Sequence, residues 1–140
     1  MRLDFWQVSE GPVARVVAQI APRVLESGER MVVVDADAER RAEISQALWA
    51  ADGFLANGEA HPSRQPVLLA GECSSENGAT VAVLADGKWR DEAEGFARTI
   101  VLFGEEGIED ARALYSRFSQ RTDVTRSYFA QEAGKWVKKV

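Results

Sequence analysis

Residues 2–34, RLDFWQVSEGPVARVVAQIAPRVLESGERMVVV, predict a strand, a helix and a second strand in succession. The first strand covers Arg2–Val8, which is rich in aromatic and β-forming residues. Pro12 suits a first helical turn, and Gly28 is the expected C-cap of a helix over residues 12–27, whose valines and isoleucine recur at helical spacing. Residues 30–34 (RMVVV) form the continuous apolar run of a strand covered on both faces. Such a unit requires parallel strands joined by a right-handed crossover.

The rest of the chain extends this unit into one α/β domain over residues 1–140. We expect a three-layer α/β/α arrangement with a mixed, mostly parallel sheet, Rossmann-like but without a phosphate-binding loop. The strands at residues 67–69 and 80–84 are close enough in sequence to pair as a hairpin. The further elements expected are a helix over residues 38–51 capped by Asp37, a helical turn at 91–96, a strand at 99–103, a helix from Ile108 to about Gln120, and a C-terminal helical extension at 123–138 weakened by Gly134.

The composition is that of a folded domain, with 46% hydrophobic and 28% charged residues. The apolar runs are far shorter than the roughly 20 residues that span a bilayer, so we expect no membrane partner. Residues 1–8 do not resemble a secretory signal. Cys73 is the only cysteine, which favours a reducing compartment and a cytoplasmic location.

The net charge of −5 is unevenly distributed. Residues 111–140 carry seven basic and two acidic residues, a net +5, so the first 110 residues carry −10. A basic end on an acidic body indicates an acidic partner for the C-terminal part and disfavours direct sequence-specific binding of nucleic acid. On charge alone, a solvated helix face explains the pattern equally well.

Patterns that would indicate a nucleotide or metal site are incomplete. The first strand-to-helix turn, residues 8–12 (VSEGP), has one glycine where a dinucleotide site needs three, and Glu10 would repel phosphate. Asp35 and Asp37 are half of a magnesium site at most, and a capping role is favoured. We therefore expect no cofactor and no metal.

Catalytic residues are equally hard to find. His61 is the only histidine, and a Ser–His or Cys–His pair through it stays open, although Cys73 has no cation beside it in sequence to activate the thiol. One histidine and one cysteine would leave a tetrahedral metal site half empty. We expect no catalytic residue and no enzymatic activity.

Aromatic residues on helices are the more informative feature. Trp49 is turned about 100° from the buried Leu48 on its helix. In the helix that begins near Ile108, Tyr115 and Phe118 lie on the apolar stripe, with Arg112 at its border. An arginine beside aromatic rings suits an acidic peptide that ends in an apolar side chain. From the pattern alone, these rings complete the core at least as readily.

Several segments resemble one protein family, the chi subunit of bacterial DNA polymerase III. Residues 44–58 (ISQALWAADGFLANG) are similar to its "LD-x-x-LW…s-FLPHG" segment, and residues 111–118 (ARALYSRF) to its "ARxRYxxY" helix. LDFWQV at residues 3–8 and GERMV at residues 28–32 resemble its "xxFYxL" and "GxRVxV" segments. The matches keep their order over nearly the whole chain.

The resemblance implies a non-catalytic accessory subunit that links the clamp loader to single-stranded DNA-binding protein by binding its acidic C-terminal tail, which ends in Pro-Phe. By matching positions it places the tail pocket at Trp49, Arg112 and Tyr115, with Phe118 nearby. Ser116 stands where the family commonly has a basic residue, which Arg117 or Arg121 would replace. Phe54 and Leu55 would face a psi subunit, another clamp-loader component or a helicase, although Ala56 and Asn57 depart from the "FLPHG" pattern. The alternative function is a small-molecule or nucleotide-binding enzyme on a Rossmann-like frame, with its ligand beyond Val8 and Val34.

Overall fold

The strand–helix–strand unit of residues 2–34 forms as its pattern predicts. A computed structural model describes all 140 residues. Gly28, at φ +83°, ends the first helix, and the carboxylate of Asp37 accepts a hydrogen bond from the Glu39 N–H at 2.8 Å to cap the second. The elements in chain order are β1 (Arg2–Gln7), α1 (Val13–Glu26), β2 (Met31–Val34), α2 (Ala38–Ala50), β3 (Asn57–Gly58), β4 (Val67–Ala70), β5 (Val81–Leu84), β6 (Arg98–Phe103), α3 (Ile108–Arg117), β7 (Thr125–Glu132) and β8 (Lys135–Lys138), with 3₁₀ turns at Pro62–Arg64, Asp91–Gly95 and Glu105–Gly107.

All eight strands belong to one sheet, in the order β3-β4-β2-β5-β6-β1-β7-β8. Every neighbouring pair is parallel except β7 and β8. The predicted α/β fold with a mixed, mostly parallel sheet is therefore confirmed.

The direction of the crossovers decides which face each helix covers. The connections from β1 to β2 and from β2 to β3 run toward one edge of the sheet, and the connection from β6 to β7 runs toward the other. Right-handed crossovers of opposite direction place their helices on opposite faces. The packing agrees: Val17 of α1 and Leu48 of α2 share one core cluster, and Leu114 of α3 belongs to the other. We call the α1–α2 side the first face and the α3 side the second face.

The expected hairpin between residues 67–69 and 80–84 is wrong. Strands β4 and β5 lie on either side of β2, and both run parallel to it. All three are apolar and almost fully buried, so each gains more from a central position than from an edge. Asn77, in the connection, donates its amide to the carbonyls of Met31 and Gln65, which fixes the path across the sheet.

The expected helical extension at residues 123–138 is also wrong, because this segment is a β-hairpin that completes the sheet. Strand β7 extends the parallel ladder beyond β1, and β8 returns antiparallel to it. The turn between them has two central residues, Ala133 and Gly134, with φ of +50° and +78°. Such a turn matches the twist of paired strands and cannot belong to a helix. Helix α3 ends at Arg117, three residues earlier than expected.

Candidate functional site

Helix α3 presents a border of polar and aromatic side chains toward β1. Ala111, Leu114 and Phe118 are buried against the second face and fix the rotation of the helix. That rotation leaves Arg112 exposed and Tyr115 half-buried. The Tyr115 ring packs edge-on against Phe5 of β1, with ring centres 5.4 Å apart, so its position is set by the core.

Strand β7 adds two side chains to this border that the sequence analysis missed. Tyr128 packs with the second-face cluster, and alternation places Arg126 on the same face. The Arg126 guanidinium carbon lies 4.1 Å from the centre of the Tyr115 ring. Its Nη1 donates to the Tyr115 carbonyl at 2.7 Å, near the C-terminal end of α3. Arg126 therefore ties the hairpin to the helix.

Tyr128 completes the wall that faces Arg112. Its hydroxyl donates to Gln7 Oε1 at 2.7 Å, and its ring packs edge-on against Phe103. Burial raises the pKa of Tyr128, and the nearby Arg112 offsets only part of this effect, so the phenol stays protonated at neutral pH. The Lys139 N–H donates to the Tyr128 carbonyl at 2.7 Å, which makes these two residues cross-strand neighbours.

We call Arg112, Tyr115, Arg126 and Tyr128 the α3–β7 surface. Neither of its arginines has a carboxylate within ion-pairing distance. Unpaired guanidinium groups bind carboxylates through two parallel hydrogen bonds, and the tyrosine rings offer apolar contact area at low entropic cost. The chemistry of this surface suits an acidic peptide.

The other predicted residues, Phe118, Arg117 and Arg121, lie at or beyond the C-terminal end of α3 and do not join the α3–β7 surface. Phe118 is only 2% exposed, so it belongs to the core and is closed to direct contact with a ligand. Arg117 lies 3.6 Å from Asp91, and Arg121 lies within 3.0 Å of both Glu94 and Asp123. Both arginines are thus partly neutralised by acids of this chain, and neither borders Tyr115 in place of the missing basic residue.

Trp49 does not join Arg112 and Tyr115. It lies on α2, which packs on the first face, whereas Arg112 and Tyr115 lie on α3 on the second face. The expected convergence of the three side chains in one notch is therefore wrong. Helical periodicity places Trp49 at the border of its own helix but says nothing about which face of the sheet that helix covers.

Trp49 instead shares the end of α2 with the residues expected to meet a second partner. Trp49 is 47% exposed and Phe54 is 73% exposed. Leu55 is half-buried against the first-face core, and its N–H donates to the Leu48 carbonyl. Phe54 has φ +50°, a strained conformation for a bulky residue. We call Trp49, Phe54 and Leu55 the α2 apolar end.

The turn between β1 and α1 is filled by the C-terminal hairpin. Gln131 Oε1 accepts hydrogen bonds from the N–H groups of Ser9 and Glu10 at 2.8 and 2.9 Å. The Glu10 carboxylate in turn accepts from the Gly134 N–H at 3.1 Å. In a dinucleotide fold the N–H groups of this turn bind phosphate, but here a side chain of the same molecule already uses two of them.

The carboxylates at the ends of β2 and β5 are also engaged. Asp35 is fully buried and accepts two hydrogen bonds from Arg40 at 2.9 and 3.0 Å. Asp86 accepts two from Arg90 at 2.7 and 2.9 Å. Burial alone would raise the pKa of Asp86, but the hydrogen bonds from Arg90 and from two backbone N–H groups outweigh it and hold the pKa below the usual range. No group of three metal-ligating side chains comes together.

Cys73 is buried on the second face, where desolvation and the nearby Glu92 raise the pKa of its thiol to about 11. The thiol is therefore protonated at neutral pH, which disfavours the Cys–His interpretation. His61 is exposed in the loop before the first 3₁₀ turn.

The comparison with protein families adds to this geometry. The family model described as DNA polymerase III chi subunit, HolC, matches residues 1–124 of the 140-residue chain. This chain belongs to the DNA polymerase III chi subunit family. The resemblance seen in the sequence is thereby confirmed, and the chi-family match includes Arg112 and Tyr115 but ends just before β7. Curated proteins show no significant match to the chain. None of the helices is long and apolar enough to cross a membrane.

The chi-family match does not reach Arg126 and Tyr128, so no family pattern pointed to them. The signal present in the sequence was alternation, because Arg126 and Tyr128 are two residues apart in TRSYF (residues 125–129), a segment rich in β-forming residues. Read as a strand, this segment places both side chains on one face.

Proposed function

We propose that this chi-family chain is a non-catalytic accessory subunit of the replicative polymerase that links single-stranded DNA-binding protein to the clamp loader. The acidic C-terminal tail of single-stranded DNA-binding protein binds at the α3–β7 surface. The observation that carries the proposal is that Arg112 and Arg126 have no ion-pair partner in this chain, while Arg126 lies over the Tyr115 ring.

The arrangement suits each part of such a tail. The terminal carboxylate pairs with Arg112, the exposed guanidinium of the surface. The apolar side chain at the end of the peptide packs on Tyr115 and Tyr128, which are held by Phe5 and Gln7 before any ligand arrives. The acidic residues that precede this apolar side chain in the peptide form ion pairs with Arg126. Contacts of this kind, made on an open surface, suit a roughly micromolar affinity of about 8 kcal/mol.

The α2 apolar end is the proposed contact with a second protein of the replication machinery, which is a psi subunit, another clamp-loader component or a helicase. Its two aromatic rings are exposed, although both would be more stable in a core. The strained backbone at Phe54 holds one of those rings in solvent, and strain of this kind concentrates at binding sites.

Titration with a peptide ending in Asp-Ile-Pro-Phe tests the tail site. We expect saturable binding that weakens as salt is added, and much weaker binding of the same peptide with an amidated C-terminus. Trp49→Ala is the control on the first face and should leave the affinity unchanged. Lack of saturation at about 100 µM peptide, a concentration far above a micromolar Kd, would contradict the proposal.

A further inference from the structure

The second face of the C-terminal hairpin continues the α3–β7 surface beyond Tyr128. Helix α3 packs against β1 and β6, so it leaves most of the second face of β7 and β8 uncovered. Side chains alternate along a strand, so Ala130 and Glu132 lie on the same face as Tyr128. The hairpin register pairs Ala130 with Val137 and Glu132 with Lys135. Directly paired residues share a face, so all five side chains lie on the second face.

Lys139 is a cation of this face that lies directly across from Tyr128. Its backbone N–H donates to the Tyr128 carbonyl at 2.7 Å, and alternation from Val137 places its side chain on the second face. Arg126 comes two residues before Tyr128 on β7, so Arg126 and Lys139 are diagonal neighbours, with Cα atoms about 7–8 Å apart. The hairpin thus adds a cation beside Arg126 at the border of the α3–β7 surface.

An ion pair directs the ammonium group of Lys139 away from Tyr128. The partner is the Glu132 carboxylate, and Glu132 follows Tyr128 by four residues, about 13 Å along an extended strand. The Lys139 side chain therefore runs along β8 toward the turn. Both members of the pair are exposed, and exposed ion pairs are weak enough to exchange partners readily.

Glu132 has a second cation beside it. Lys135 is its direct cross-strand neighbour, is exposed and has no ion-pair partner. The other acid near the turn, Glu10, lies beside Gln131, whose side chain is on the first face by alternation. The turn end of the second face therefore holds two lysines for one glutamate. Lys139 can leave Glu132 because Lys135 is in place to pair with the same carboxylate.

The spacing of these cations matches the spacing of acids in an extended peptide. Residues two apart in an extended segment are about 6.6 Å apart and point to the same side. That separation is close to the distance between diagonal neighbours such as Arg126 and Lys139. When one acid of the tail pairs with Arg126, the acid two residues before it is therefore within reach of Lys139.

Two observations favour the acidic stretch of the tail as the occupant of this face. The first is charge, because three cations, Arg126, Lys135 and Lys139, share the second face of the hairpin with a single acid, Glu132. The second is continuity, because this face meets the α3–β7 surface at Tyr128, where the end of the tail is proposed to bind. An extended acidic peptide that enters the tail site across β8 satisfies both conditions.

We propose that Lys139 is a further specificity-determining residue of the tail site, which exchanges Glu132 for an acid of the bound tail while Lys135 pairs with Glu132. This inference rests on the tail site proposed above and extends it to acids farther from the C-terminus of the peptide. The exchange adds one ion pair to the complex without leaving a carboxylate unpaired. The hairpin that makes it possible lies beyond residue 124, where the chi-family match ends.

Two fluorescein-labelled peptides with free C-termini test the exchange by fluorescence anisotropy with the full chain. The two-acid peptide is Gly-Asp-Gly-Asp-Ile-Pro-Phe, and the one-acid peptide, Gly-Gly-Gly-Asp-Ile-Pro-Phe, lacks only the acid farther from the end. We expect the wild type to bind the two-acid peptide about two- to fivefold more tightly, the range for one exposed ion pair. Lys139→Gln should remove this preference.

Lys138→Gln is the matched control for the loss of a positive charge. Lys138 is an exposed lysine of the same strand without an ion-pair partner, and it pairs with Phe129 on the first face. This variant should keep the preference for the two-acid peptide. Arg112→Ala should weaken both peptides alike, since the terminal carboxylate is common to them. Thermal unfolding of each variant establishes that it is folded.

Removing Glu132 tests the exchange itself. Glu132→Gln frees Lys139 from its partner, so the preference for the two-acid peptide should increase by about twofold or more. Lys135→Gln should reduce the preference in the wild-type chain, because Glu132 then has only Lys139 as a partner. The same change should have no effect once Glu132→Gln is present. A uniform effect of charge would instead make the two changes additive.

Three outcomes would overturn the inference. The first is equal affinity of the wild type for the two peptides while Arg112→Ala still weakens both, which would leave the tail site in place without a role for Lys139. The second is an equal loss of preference in Lys138→Gln and Lys139→Gln, which would mean attraction to charge without a site. The third is an unchanged preference in Glu132→Gln, which would mean that no exchange occurs. If neither peptide saturates at about 100 µM, the tail site itself is wrong and the inference fails with it.

Discussion

Replacing Arg112 with alanine is the most informative perturbation of the tail site. Arg112 is exposed and has no ion-pair partner in this chain, so its removal should change the free energy of unfolding by no more than about 0.5 kcal/mol. Hydrogen bonds between charged groups contribute about 1.5–3 kcal/mol, and solvent exposure places this one near the lower end. We therefore expect Arg112→Ala to weaken binding of the free-acid tail peptide at least about tenfold.

A double-mutant cycle shows whether Arg112 contacts the terminal carboxylate itself. Isothermal titration calorimetry measures the free-acid and amidated peptides against the wild type and Arg112→Ala. If the guanidinium and the carboxylate pair, amidation costs at least about tenfold on the wild type and almost nothing on the variant. Arg117→Ala is the matched control, because that arginine of the same helix lies beside Asp91 on the other flank. If the losses of affinity caused by amidation and by Arg112→Ala are additive, the guanidinium and the terminal carboxylate do not pair. If Arg112→Ala binds the free-acid peptide as tightly as the wild type, the tail does not bind at Arg112.

Other perturbations test the hairpin, the sheet edge and the buried thiol. Ala133→Asn should raise the free energy of unfolding by about 0.5–1 kcal/mol in urea titrations, because asparagine tolerates the positive φ of this turn better than alanine. Gly134→Ala should lower the free energy of unfolding by a similar amount. Effects of the same sign for the two changes would contradict the turn assignment. The folded pKa of Asp86 lies below the value of about 3.9 in an unfolded chain, so its carboxylate stabilises the fold above about pH 4 and this contribution disappears as the pH falls through the folded pKa. Asp86→Asn should thus lower the free energy of unfolding by about 2 kcal/mol between pH 5 and 7, and by progressively less below pH 4, in urea titrations at each pH. A loss that does not depend on pH would argue against the ion pair of Asp86 with Arg90. Cys73 should react with a thiol reagent at pH 7.5 only as fast as the chain unfolds, since burial raises its pKa to about 11, and rapid labelling of the folded protein would show that the thiol is accessible.

The first half of the fold could be predicted because its signals are local. The helical spacing of the valines in α1, the glycine after it and the capping Asp37 act within a few residues of where they stand. The continuous apolar run at Met31–Val34 fixes a buried strand for the same reason. Strand order is not local, and the hairpin assigned to β4 and β5 failed because neighbours in sequence were taken as neighbours in the sheet.

The C-terminal hairpin was missed because its turn carries a weak sequence signal and because the strand it pairs with lies far away in the sequence. Ala133–Gly134 lacks the asparagine or aspartate that usually begins such a turn. The strand that β7 pairs with, β1, lies more than 100 residues earlier in the chain. Arg126 and Tyr128 were therefore assigned to a helix and their place beside Tyr115 was lost.

Only the part of the candidate site that depends on local sequence could be predicted. Arg112 and Tyr115 share one helix, so their proximity follows from its periodicity. The distance from that helix to Trp49 depends on which face of the sheet each helix covers. That is set by strand order and crossover handedness, which no local pattern encodes.

The location of α2 and α3 on opposite faces has a consequence for assembly. One layer of sheet separates the α2 apolar end from the α3–β7 surface, so a protein held at the first need not displace a ligand at the second. If both proposed contacts form, tethering at the α2 apolar end would raise the effective concentration of the subunit near each acidic tail, so a tail contact that breaks quickly would soon be replaced by another. Because the rigid sheet keeps the two sites apart, a weak contact at the α3–β7 surface would break and re-form while the contact at the α2 apolar end is maintained.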